Sequence, residues 1–183
     1  MTTSMLTIPV NDRDHIQGKP HAVITLVEYG DYECPHCGHA FPIVEELRLQ
    51  WGDRMRFVFR QFPLTQVHPH AEIAAEAAEA AGFRNHYWQM HRLLMTHQDS
   101  LEPADLVRYA GQLGLDTDWF SHALTAHTFQ KKVRNDFMSG VRSGVNGTPT
   151  FFINDARHDG PFSLEALSEA FDAAVVGDSE PTM

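Results

Sequence analysis

Cysteine is nearly absent from this chain of 183 residues, which holds two. A secreted scaffold stapled by disulfides needs more, at spacings that close several loops. Cys34 and Cys37 lie three apart, so a bond between them closes a tiny loop and removes little chain entropy. The pair is a poor staple and reads as chemistry. Basic residues are scarce too: 14 Lys and Arg face 24 Asp and Glu, for a formal net charge of −10. That balance argues against nucleic acid or an anionic membrane surface as partner. No stretch approaches the roughly 18 apolar residues of a membrane span, so no membrane insertion is expected. The first twenty residues lack a basic start followed by an apolar run, Asn11 to His15 interrupting any such pattern, and the chain reads as cytoplasmic. With 43% hydrophobic and 21% charged residues, disorder, collagen and coiled coil are excluded. A chain of this length buries about 70% of its unfolded surface and needs no metal for stability.

The order of elements is strand, helix, strand, several helices, strand, helix. Ala22 to Tyr29 is an apolar, β-branched run that reads as a strand buried on both faces. Pro35 to Gln50 has helical spacing, with Pro35 suited to the first turn and Pro42 expected to kink it. Met55 to Phe62 alternates as a second strand. From Pro69 to Val145 the chain favours helix. Gly82 is expected to stop the first helix there, and Ser100 to cap a segment entered through Pro103. Thr117 to Leu124 and Phe129 to Val141 supply two more. Thr150 to Ile153 is a third strand, Asn154 to Gly160 a turn leading toward a brief hairpin partner, and Ser163 the cap of a last helix. The result is an α/β fold with one enlarged crossover: a core of residues 1–66 and 147–176, a helical insertion at 67–146, and a tail at 177–183.

Cys34-Pro35-His36-Cys37 falls where a strand ends and a helix begins. Residues three apart on a helix bring their side chains to about 5–6 Å, from which modest closure reaches disulfide geometry. Cys34 at the helix start faces unpaired N–H groups and the positive end of the dipole, which favour its thiolate. Cys37, one turn in, is the more hidden sulfur, so Cys34 exchanges with substrate and Cys37 resolves the mixed disulfide. His36 stabilises the same thiolate when it is cationic or donates a hydrogen bond. Glu33, taken as solvent-exposed, opposes this weakly. Glu28, inside an apolar strand, is either a proton acceptor for Cys37 with a raised pKa or an edge residue that points to water.

The run from Glu28 to Cys37, with the later Gly147-Thr148-Pro149-Thr150-Phe151, resembles the DsbA-like branch of the thioredoxin superfamily over nearly the whole chain. It departs from thioredoxin itself, lacking Trp before Cys34 and Gly-Pro between the cysteines. The resemblance implies a thioredoxin-like fold with a helical domain inserted between the second and third core strands, and an approach strand after Asp14 to Gly18. It also implies a cis Thr148–Pro149 bond lying against the sulfurs, with the Thr148 backbone offered to an extended substrate. The expected activity is thiol–disulfide exchange of the Cys34–Cys37 pair with protein or small-molecule thiols and an unidentified redox partner, with no cofactor.

Two other readings have weaker support. A metal module could draw on Cys34, Cys37, His36 and His39, with His68 and His70 nearby, although zinc sites usually use two separated pairs. A chaperone-like groove could be lined by Trp88, Met90, Met95 and Phe129, residues that at helical spacing are more often core.

Overall fold

The structure, a computed structural model, describes residues 4–177. Its sheet is built on β2 (Ile24–Gly30) and β3 (Met55–Gln61), parallel neighbours whose alternate side chains are buried on both faces. β1 (Ile16–Gly18) lies antiparallel on β3, and β4 (Thr150–Ile153) antiparallel on the other side of β2. β5 (Ala156–His158) completes the order β1-β3-β2-β4-β5. The hairpin between β4 and β5 turns on Asn154 and Asp155, both at positive φ, as a tight two-residue hairpin requires. The approach strand is Ile16–Gly18 itself rather than a segment after it.

α1 (Pro35–Trp51) follows β2 and continues through Pro42. Between β3 and β4 come α2 (Ala71–Phe83), α3 (Tyr87–Thr96), α4 (Pro103–Gln112), α5 (Thr117–Thr125) and α6 (Gln130–Arg142). α7 (Leu164–Gly177) closes the described chain and takes in Gly177, the first residue of the expected tail, while residues 178–183 lie outside the described residues. One face of the sheet, carrying Ile24, Leu26, Phe57 and Phe59, shares a continuous core with α1 to α7. On the other face Val27, Tyr29, Val58 and Phe152 pack with Leu6 and Val145. There Arg60 is 2% exposed, with its five N–H donors all engaged, by Asp14, the Ile8 and Pro9 carbonyls and the Tyr29 hydroxyl.

Two helix boundaries differ from expectation. Gly82 does not end α2, which runs on to Phe83; it leaves room for His15, whose Cε1 would stand 2.7 Å from a Cβ at that position. Ser100 caps nothing. The N-cap of α4 is Glu102, and Pro103 at the first helical position, its φ already helical, opens the helix without a side-chain cap. Ser163 does cap α7, its hydroxyl accepting the Ala166 N–H at 3.2 Å. Met90 and Met95 are buried, with Trp88 and Phe129 packed against the same core, so the supposed groove is interior.

Candidate active site

The central strand β2 delivers the chain to the head of α1 through the loop Asp31–Glu33, and that loop is tightly held. Asp31 accepts the Glu33 and Leu64 N–H groups at 2.8 Å each and pairs with His68 Nδ1 at 2.7 Å. Glu33 accepts the His70 N–H at 2.6 Å and His70 Nδ1 at 2.9 Å, while His70 Nε2 reaches Glu102 at 3.1 Å. The Gln98 amide donates to the Tyr32 and Cys34 carbonyls at 2.9 and 2.8 Å. Glu33 is therefore half-buried and paired, not the free surface charge expected, and its bond to His70 raises the imidazole pKa.

Cys34 is the N-cap of α1, with Pro35 in the first turn and no side-chain cap. Its residue is 4% exposed, against 0% for Cys37, and Pro35 and His36 beside it are exposed. Both cysteines are free thiols. The Cys37 S–H, hydrogen-bonded to Cys34, is the main cause that lowers the Cys34 pKa to about 5; burial opposes it, and the Thr148 side chain and the Cys37 and His36 N–H groups add to it. His36 thus reaches the sulfur through its backbone, with its ring at the surface. Cys37 moves the other way. Burial first, then its hydrogen bond to Cys34 and the charges of Glu28 and Cys34, push its thiol well above the usual value, although the Asp31 N–H approaches its sulfur at 3.4 Å. One sulfur is held as an anion and its neighbour as a thiol.

Glu28 is 2% exposed, on the central strand and not at an edge, which removes the water-facing alternative. Burial, and then the Cys34 charge, raise its pKa to about 8. The Thr148–Pro149 peptide bond is cis, and the Thr148 carbonyl oxygen lies 3.5 Å from the Cys34 sulfur. The Thr148 hydroxyl is buried and, apart from the Cys34 sulfur whose pKa it lowers, has no hydrogen-bond partner among the described residues.

Among the described residues no three His, Cys, Asp or Glu side chains gather to hold a metal ion. His68 and His70, candidates for that role, are instead engaged by Asp31 and Glu33. Sequence reading missed these clamps and Gln98. The His-Pro-His spacing was a visible signal, but only the return of the loop after β3 shows which carboxylates it meets.

Thioredoxin is the family that matches residues 10–173. Na(+)/H(+) antiporter NhaA 3 of Salinispora tropica is 50% identical over 166 residues, which cover 90% of this chain and 25% of that protein. The chain spans about a quarter of the first curated relatives it matches. BdbD from Bacillus subtilis, in its oxidised crystal structure, shares the fold with a TM-score of 0.82 at 23% identity, covering 96% of this chain and 100% of that one. A variant of alpha-DsbA1 from Wolbachia pipientis matches at 25% identity and a TM-score of 0.76, covering 97% of each chain. With a Cys-Pro-His-Cys head on α1 and a Thr-Pro opening β4, the chain belongs to the thioredoxin family, in its DsbA-like branch.

Proposed function

We propose that the protein is a thiol–disulfide oxidoreductase that acts on thiols or disulfides of protein substrates through a mixed disulfide at Cys34. The observation that carries this reading is the opposed state of two neighbouring sulfurs, Cys34 lowered and Cys37 raised. In the reducing direction the Cys34 thiolate attacks a substrate disulfide, forming a mixed disulfide and releasing one substrate thiolate. Cys37 gives its proton to Glu28 and attacks the Cys34 sulfur, forming the Cys34–Cys37 bond and expelling the second substrate sulfur. In the oxidising direction a substrate thiolate attacks Cys34, breaking the internal bond, and Cys37 leaves and takes its proton from Glu28. A second substrate thiolate then releases Cys34 and completes the substrate disulfide.

Thr148 and Pro149 flank the sulfur, and we assign them the backbone of an extended substrate, added like a strand. Pro35 and His36, exposed beside Cys34, form the landing surface. A redox partner of the same chemistry returns the pair to its starting state. The antiporter name belongs to proteins of which this chain spans a quarter, whereas Glu28, Cys34, Cys37, Thr148 and Pro149 lie within the segment that matches the thioredoxin family.

The test is insulin reduction and refolding of a reduced disulfide protein. The wild type should be active in at least one assay, Cys34→Ser inactive in both, and Cys37→Ser should accumulate a mixed disulfide. Activity retained by Cys34→Ser refutes the reading.

A further inference from the structure

Buried carboxyls ordinarily find donors, but Glu28 Oε1 has no hydrogen-bond partner among the described residues. The sheet register shows what stands there instead. Glu28 lies opposite Phe59 and Gly30 opposite Gln61, so Glu28, Gly30 and Phe59 share one face of the sheet. A Cβ on Gly30 would lie 2.4 and 2.5 Å from Cε2 and Cζ of Phe59 and 3.1 Å from Glu28 Oε1. The ring edge and the carboxyl oxygen therefore flank the same small space, which any side chain at position 30 would fill. Phe59 is itself buried and is hemmed in by Tyr32 and His91, at ring-centroid distances of 5.2 and 4.7 Å. The ring cannot easily swing away.

We propose that Phe59, admitted by the missing side chain of Gly30, is a positioning residue for Glu28, its ring edge taking the place beside Oε1 that water would otherwise occupy. The catalytic importance of this placement rests on the proton-acceptor reading of Glu28. A carboxylate without hydration and without donors is a stronger base, and an aromatic edge offers it only weak compensation. The titratable groups whose charge couples to Glu28 are Cys34 and Cys37 at the head of α1 and Tyr32 in the loop before it, all of them acids and none a cation. Drying by Phe59 therefore acts unopposed by an ion pair.

The experiment follows the infrared carbonyl band of the protonated Glu28 carboxyl in the reduced full-length protein, identified by its loss in Glu28→Gln. In the wild type the band should persist at pH 7, fall to half near pH 8 and be nearly gone one unit higher. Phe59→Leu and Phe59→Met keep an apolar side chain but lose the ring edge; each should move the midpoint down by about one pH unit or more. Phe57→Leu, a ring on the same face farther along the strand, should leave the midpoint in place. An unmoved midpoint in both Phe59 variants overturns the proposal, as does an equal shift in Phe57→Leu. If the band shifts in Phe59→Leu but the pH profile of disulfide exchange does not follow, the positioning by Phe59 stands and the proton-acceptor reading of Glu28 falls.

Discussion

Removing the Cys37 thiol tests the physical centre of the site. The Cys34 pKa falls from 9.0 to about 5, and the hydrogen bond from Cys37 is its largest cause. At pH 7, two units above that midpoint, about 99% of Cys34 is thiolate. The sign follows from the depressed value: the contribution to the reduced form is complete above pH 9, shrinks as pH falls, and is gone below about 5. Each unit is worth about 1.4 kcal/mol, so at pH 7 the ceiling is about 3 kcal/mol, and partial solvation of the sulfur leaves about 2. For a two-electron couple that corresponds to about 40 mV toward the oxidising side. Cys37→Ala removes the leading contribution, and the Cys34 midpoint should rise by about one unit or more. Ultraviolet thiolate absorbance reads it directly, and the pH dependence of iodoacetamide alkylation checks it. A wild-type midpoint near 9, or an equal midpoint in Cys37→Ala, would refute the argument that one sulfur charges the other.

Thr148→Val removes a buried hydroxyl that lowers the Cys34 pKa while keeping the shape, so the same titration should show a smaller upward shift. Glu28→Gln should stabilise the fold at alkaline pH. A carboxyl raised from 4.5 to about 8 costs stability progressively as pH rises through that window, so the unfolding free energy at pH 8 should improve by about 4 kcal/mol, with little change at pH 4. Arg60→Met should cost about 3–5 kcal/mol in urea unfolding, because Asp14 is left buried without its partner. A loss under 1 kcal/mol would show that the five donor bonds are merely geometric.

The parts of this molecule that follow a local rule were visible in its sequence. The alternation of Met55 to Phe62 and the Pro35 helix start place β3 and α1 by periodicity and the fixed φ of proline alone. Asymmetry between the two sulfurs follows from helix geometry in the same way. What escaped depends on residues distant in the chain. Gly82 looked like a stop because nothing local shows that His15 lies against it. Glu33 looked free because His70 meets it only once the loop after β3 folds back. For Glu28, an apolar run does not say whether its strand is central or at an edge. The β1-β3-β2-β4-β5 order does.

Arg60 has one more consequence. Burial tends to raise the Asp14 pKa, but the Arg60 hydrogen bonds and charge more than offset this and hold it below 3.8. The N-terminal strap, clasped through Ile8, Pro9 and Asp14, therefore keeps this grip in surroundings acidic enough to protonate Cys34. Souring the medium takes the charge off the sulfur before it loosens that clasp, and restoring neutrality returns the charge to a molecule still strapped together.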